Sequence, residues 1–289
     1  MACVSQTLQA REVRRLEPSS KWIIDYADDN CRIARSFGEG PGQVALIFDQ
    51  FAPGDWLSIM FAGKSLDTRN KLPPIEAVIR FGPNEAESEI TGVAGTLGDR
   101  LSYMVDGSQR LAPLTKAEQR AGEEAQGGNA PYGPLPLGAA REQAATWLAL
   151  RKVFSFDLVL QTGPMNGPLE ALRRCTSDLV RGWGLDVEQQ MHLSRHLVPI
   201  RSESWFSESD YPKKMLDGGH QSIVNYRLIV DTSGKPESCH IQTSTRPKDF
   251  DDHVCRIVMK RARFDPALDA AGKPVRSYWR QTINFRIAG

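Results

Sequence analysis

The chain has 289 residues, 40% hydrophobic and 25% charged, with a formal net charge of +1. That length accommodates two domains of ordinary size, and the composition is that of a globular protein. A charge this close to zero gives no support to nucleic-acid binding, and no run of about 18 apolar residues exists to span a membrane as a helix.

Residues 1–20 are polar and charged and are expected to form a flexible arm. The first ten lack the basic start and apolar core of a signal peptide, so an exported form is expected with its leader absent. Strand-like runs follow at Trp22–Tyr26, Cys31–Phe37, Gln43–Gln50, Trp56–Ala62 and Ile75–Phe81, separated by turn clusters such as Asp28-Asp29-Asn30 and Gly38-Glu39-Gly40-Pro41-Gly42. Their spacing predicts antiparallel hairpins. Apolar residues fall on both faces of Val44–Phe48, so this strand is expected to be covered on both. Thr115–Gln126 predicts an exposed helix and Arg141–Lys152 an amphipathic one. Val153–Leu160 reads as a strand. Pro168 sits near the start of a helix reaching Gly182, with Leu169, Leu172, Leu179 and Val180 on its buried stripe and Cys175 beside them. Trp183-Gly184-Leu185-Asp186 ends that helix at a glycine. Residues 187–204 are expected to link a β-rich N-terminal α+β domain, 21–186, to a C-terminal domain, 205–289. No internal repeat and no low-complexity tract is evident.

The C-terminal domain carries the most specific pattern. In its first strand Val224, Tyr226, Leu228 and Val230 share one face, while Asn225 and Arg227 lie on the other between Ile223 and Ile229. Asp231-Thr232-Ser233-Gly234 supplies a tight hairpin, because glycine tolerates positive φ. A second strand around Cys239–Thr243 places Cys239, Ile241 and Thr243 on one face. A helix around Asp249–Arg263 has Asp249 as its expected N-cap and Phe250, Val254, Ile257, Val258 and Arg261 at helical spacing. In the last strand, Val275 to Ile287, Trp279, Ile283, Phe285 and Ile287 share one face. Arg276, Tyr278, Arg280, Thr282, Asn284 and Arg286 share the other. The expected class is α+β, ending in a β-β-α-β unit with a three-stranded antiparallel sheet and a helix on one face.

Four landmarks recur in order here: Tyr211-Pro212 before the first strand, Val230-Asp231 with Gly234, Phe264 with Pro266-Ala267, and Gly272 with Pro274-Val275. In these the stretch resembles the C-terminal domain of the TonB family, the periplasmic end of the energy transducer in the Gram-negative envelope. The resemblance implies a periplasmic protein that binds protein rather than catalyses. Its last strand would lie at a sheet edge and accept an extended peptide, such as a segment of an outer-membrane transporter. Carried over, the peptide-binding residues are Tyr278, Arg280, Thr282, Asn284 and Arg286. The same alternating arginines also read as protection of an exposed edge against aggregation. A homodimer through that edge is a further expectation. With no Pro-rich tract or membrane anchor in the sequence, energy coupling is not expected. The N-terminal Trp22-x-x-Asp25-Tyr26 and Cys31-x-x-Ala34-Arg35 resemble periplasmic proteins with a TonB-like tail.

Five cysteines stand at 3, 31, 175, 239 and 255, with no C-x-x-C. The resemblance implies disulfides Cys239–Cys255 and Cys31–Cys175, with Cys3 left over, either unpaired or lipidated. Five buried reduced thiols in a cytosolic protein is the alternative. No catalytic residue, cofactor or metal site is predicted. His192 and His196 are four apart, but Leu193 stands where a metalloprotease needs a glutamate, and solvent exposure is the default for both. An envelope hydrolase with its site in the N-terminal domain, and a structural module without peptide binding, remain as competing readings.

Overall fold

The computed structural model describes residues 11–68, 71–113, 116, 120, 137–245 and 247–287. It is α+β and divides into two compact units. The first ends at Cys175; the second runs from Thr176 onward and also takes in Asp28–Asn30.

The first unit is built on strands β1 (Val13–Leu16), β2 (Ile23–Tyr26), β3 (Cys31–Phe37), β4 (Val44–Gln50), β5 (Ser58–Gly63), β6 (Ile75–Phe81), β7 (Ser88–Leu97), β8 (Arg100–Val105), β9 (Leu148–Arg151) and β10 (Asp157–Leu160). They form one sheet in the order β1-β10-β9-β6-β7-β8-β5-β4-β3-β2. The β1–β10 pair is parallel and the other pairs are antiparallel. All of Val44–Phe48 is buried, as expected for a strand covered on both faces. Val13–Leu16 lies in the stretch expected to be an arm, yet it pairs with β10, and Arg11 adds a 3.0 Å ion pair to Asp157. The β7–β8 hairpin had no sequence-based expectation. It turns through Gly98, at φ +61°, and Asp99, between the paired residues Leu97 and Arg100.

The amphipathic helix expected over Arg141–Lys152 is not present. Helix α1 (Ala139–Ala144) stops where Ala145 takes φ −76°, ψ 85°, and the chain continues as β9. Leu148 and Leu150 are both fully buried and alternate with Ala149 and Arg151, so period two overrides the helix-forming composition. The strand expected at Val153–Leu160 is confined to β10, and bends place Phe154 and Phe156 in the core. Helix α2 (Asn166–Gly182) buries Leu169, Leu172, Cys175, Leu179 and Val180. Gly184, at φ +74°, closes it as the expected glycine stop, with Leu185 N–H donating back to the Val180 carbonyl at 3.2 Å. The helix expected at Thr115–Gln126 falls almost entirely outside the described residues. Cys31 and Cys175 are joined by a disulfide that ties β3 to α2.

The second unit contains α3 (Val187–Met191), β11 (Val198–Pro199), α4 (Lys213–Asp217), β12 (Ser222–Val230), β13 (Pro236–Ser244), α5 (Asp249–Arg261), β14 (Phe264–Asp265), β15 (Ala267–Leu268), β16 (Pro274–Val275) and β17 (Ser277–Phe285). Its main sheet has the order β13-β12-β17. Val224, Tyr226, Leu228 and Val230 pack with Phe250, Val254 and Val258 of α5 and with Trp205, Phe264, Trp279 and Phe285. Full burial of each such side chain contributes about 1.5–3 kcal/mol. Asp249 is the first helical residue, not the N-cap; Lys248 holds that position without a side-chain cap bond, so Asp249, Asp251 and Asp252 act on the helix dipole instead. A bulge shifts the β12–β13 register between Asn225 and Tyr226. It leaves Cys239 and Ile241 against the core and turns Thr243 out to solvent, off the face expected from simple alternation. Cys239 and Cys255 form a second disulfide, between β13 and α5.

Two turns in this unit are near copies. Asp231-Thr-Ser-Gly234-Lys-Pro and Asp269-Ala-Ala-Gly272-Lys-Pro share a six-residue pattern too short to register as a repeat in the sequence. In each the aspartate Oδ1 accepts two backbone N–H groups, from Ser233 and Lys235 or from Ala271 and Lys273, at 2.8–2.9 Å. Each glycine has a positive φ, +80° and +78°.

Candidate functional site

Strand β17 has β12 as its one strand neighbour among the described residues, so its outer side is the side to consider. Successive residues of a strand send their backbone groups alternately to either side. On β12, Ile223 faces β13: its carbonyl accepts the Thr245 N–H at 3.0 Å and its N–H donates to Thr245 Oγ1 at 2.9 Å. Asp231, of the same parity, donates to the Lys235 carbonyl at 2.9 Å. Ser222, Val224, Tyr226, Leu228 and Val230 therefore face β17, opposite Phe285, Ile283, Gln281, Trp279 and Ser277. The remaining β17 residues, Tyr278, Arg280, Thr282 and Asn284, direct their N–H and C=O groups outward. Arg276 has the same parity, and its carbonyl accepts a 2.9 Å bond from Gln190 Nε2.

The side chains of the expected site residues meet different fates. Tyr278 is buried, its ring edge-on to Trp183 at 4.9 Å between centroids, and burial pushes its phenol up. Arg280 Nε donates to Gln242 Oε1 at 2.6 Å. Thr282 Oγ1 donates to Asn225 Oδ1 across the strand pair. Thr282, Asn284 and Arg286 are exposed. Arg286 lies just past the end of β17. The five thus run along the length of β17 and just past it, the first buried in packing and the last three at the surface.

Sequence reasoning missed Gln190, and placed Arg227 and Arg276 only by their sheet face. Asp186 caps α3, accepting from Gln189 N–H at 2.8 Å, and this holds Gln190 against the start of β17. Gln190 is buried, and its Oε1 accepts the Ser277 hydroxyl at 2.6 Å. Arg276 forks onto Glu237 and reaches the Gly184 carbonyl at 3.4 Å. Arg227 is 9% exposed, and its guanidinium lies 4.3 Å from the Trp183 ring centroid. Its Nε and Nη1 have no hydrogen-bond partner among the described residues, so the cation–π contact is its compensation; burial lowers its pKa. The one sequence signal here was Trp183-Gly184-Leu185-Asp186, read only as a helix end.

Residues 207–287 match the family model of the Gram-negative bacterial TonB protein C-terminal. The TonB-like stretch covers α4 through β17, and Trp183 and Gln190 lie outside it. No curated protein matches the chain.

In the first unit a cavity of about 420 Å³ is lined by Glu76, Glu89, Asp106, Lys152, Thr91 and Gln109. Its carboxylates are exposed; Thr91 Oγ1 donates to Asp106 Oδ2 at 2.9 Å. His192 is exposed on the end of α3, whereas His196, also expected at the surface, is half-buried with its pKa lowered by burial. No group of three metal-ligating side chains occurs among the described residues. No helix there is long and apolar enough to cross a membrane.

Proposed function

We propose that the TonB-like unit is a periplasmic protein-binding module that accepts an extended peptide segment of an envelope protein, an outer-membrane transporter among the candidates, by strand addition to β17. The observation that carries this reading is the outward set of Thr282 and Asn284 backbone groups on a strand paired on one side. An added strand satisfies such groups with main-chain hydrogen bonds, each worth about 0.5–1.5 kcal/mol net. Charge supports it: from Trp205 onward there are 14 Lys+Arg against 10 Asp+Glu, so an acidic segment is favoured.

The test is capture of partners from envelope extract by the whole protein and by Thr282→Pro and Thr282→Ala variants. Proline removes an outward N–H and no β12–β17 ladder bond. Alanine removes the bond to Asn225 but keeps the N–H. Loss of a specific partner with proline and its retention with alanine supports edge pairing; the same partners from all three proteins oppose it. An enzyme in the first unit is the second reading, favoured by the carboxylate-lined cavity. Glu76→Gln and Asp106→Asn variants that lose a hydrolytic activity of the purified protein would establish it.

A further inference from the structure

We infer that the first unit forms a two-fold dimer in which the overhanging edge of β7, Val93–Leu97, pairs antiparallel with the same edge of a second copy of this chain. This edge is distinct from β17, and the inference does not depend on strand addition there. β6 pairs with β7 only as far as Ile75 opposite Gly92, and Pro73 and Pro74 before it have no N–H to continue the ladder. β7 runs on to Leu97, held on its other side by β8. The Thr91 carbonyl accepts the Asp106 N–H at 2.8 Å, so odd-numbered residues of β7 bond to β8. Ala94 and Thr96 therefore turn their N–H and C=O groups to the side without a strand. Both are exposed, as is every residue from Ala94 to Asp99. No charge and no proline falls within Ile90–Gly98, so the edge lacks the usual guards against pairing.

The edge complements itself. With the two-fold axis at Gly95, Ala94 faces Thr96 of the second copy as a hydrogen-bonded pair, and symmetry repeats the pair. Val93 faces Leu97, apolar against apolar, beside Met104, which is 43% exposed and lies across β8 from Val93. Gly95 faces Gly95 at the closer, non-hydrogen-bonded position, where the lack of side chains permits the approach. Charge points to the same partner. Arg100 of β8 stands opposite Leu97 and shares its face; Glu76 of β6 stands opposite Thr91 on that face. In the dimer Arg100 of one copy is diagonal to Glu76 of the other, within reach of long side chains. Glu76 borders the cavity of about 420 Å³, where Glu89 and Asp106 add acid against Lys152. Asp99, the acid in the hairpin turn, has its own counter-ion in Lys64 at 3.0 Å. A second copy thus supplies both the strand that the edge lacks and a cation for this carboxylate-lined hollow.

The experiment traps the pair as a disulfide, using the full chain in a Cys3→Ala background. Gly95→Cys places two thiols at the axis, where facing Cα atoms lie about 4.5 Å apart, within the span of a disulfide. A Cβ on Gly95 meets only the Ser102 hydroxyl, at 3.3 Å, so the variant is expected to fold. Leu97→Cys, exposed on the same face, lies opposite Val93 in this register and out of reach of its own copy. Under diamide, Gly95→Cys is expected to cross-link roughly tenfold or more faster than Leu97→Cys, because pairing raises the effective thiol concentration at the axis. Equal rates overturn the inference. Sedimentation of the unaltered chain over a concentration series is expected to show a monomer–dimer equilibrium. Thr96→Pro removes an outward N–H from each copy and no β7–β8 bond, and is expected to weaken the dimer by roughly tenfold to a hundredfold. Arg100→Glu is expected to weaken it by roughly threefold to tenfold, and Arg100→Glu combined with Glu76→Arg to restore it. A chain that is monomeric throughout, a dimer that Thr96→Pro leaves unchanged, or a charge exchange that restores nothing overturns the pairing. Hydrogen exchange of β8 peptides in each variant checks that the unit remains folded.

Discussion

The paired turns at Gly234 and Gly272 allow one packing contact to be weighed against an internal control. Both glycines have nearly the same positive φ, and both close an Asp-x-x-Gly-Lys-Pro turn. Alanine at either site therefore meets the same left-handed backbone cost, about 1–2 kcal/mol, partly offset by the stiffer unfolded chain. Their surroundings differ. A Cβ on Gly272 meets nothing within 4 Å, whereas one on Gly234 falls 1.8 Å from the Phe264 carbonyl oxygen. Since Cβ contacts below 3.0 Å are essentially never seen, that carbonyl must retreat by more than 1 Å. The retreat strains the 2.9 Å bond from Phe264 N–H to the Gly234 carbonyl, worth about 1 kcal/mol. It also disturbs the Phe264 ring, which packs 5.1 Å from Trp205 and 5.3 Å from Trp279. Gly272→Ala is expected to cost about 1 kcal/mol and Gly234→Ala about 3 kcal/mol or more. Hydrogen exchange against urea, read on peptides from β12 and β17, reports the opening of this unit within the intact chain. A difference between the two variants below about 0.5 kcal/mol would refute the reasoning.

Removing the Cys239–Cys255 disulfide, whose ends are 16 residues apart, should cost the second unit about 3 kcal/mol by chain entropy; removing Cys31–Cys175, 144 apart, should cost the first unit about 5 kcal/mol. Urea midpoints of the double-alanine variants check this, and equal losses in both units would count against it. Asp210 accepts from Arg261 at 2.6 and 2.9 Å and from Ser207, which hold its carboxyl well below the usual carboxylate range. A carboxylate with a depressed folded pKa contributes stability that is complete above its unfolded value, near 4, and lost as pH falls through the folded one. Asp210→Asn should flatten that part of the acid slope; an unchanged slope between about pH 5 and 2 would remove Asp210 as its source.

Much of the second unit was legible because its strands alternate cleanly: the faces of Val224–Val230 and of Trp279–Phe285 follow from period two alone. The same rule failed at Thr243, where a bulge inserts one residue, and bulges leave little trace in a single sequence. Composition misled at residues 141–152, where the helix-forming Arg141, Glu142, Gln143 and two alanines precede two leucines that the centre of the sheet claims as a strand. The Ser88–Val105 hairpin went unseen because Gly92, Gly95 and its threonines blur the alternation. The candidate edge was legible as a strand but not as an edge with a direction. Which backbone groups point outward depends on the partner's register, and that is settled by Thr245, just past the end of β13 and far from β17 in sequence. Gln190 had no signal at all, since its role is set by a carbonyl 86 residues away.

The nine-residue pairing of β12 with β17 also has a mechanical side. Its hydrogen bonds lie across the strands, so tension along β17 loads the whole row together, whereas a sideways pull parts the pairs one after another. A ligand strand lying along the outer side of β17 would deliver its force in the first way. The load would pass through β12 to β13, and Cys239–Cys255 would carry it into α5 as a covalent tie. The sheet is thus far stiffer along its strands than across them, and the direction it resists best is the one in which an attached partner would pull.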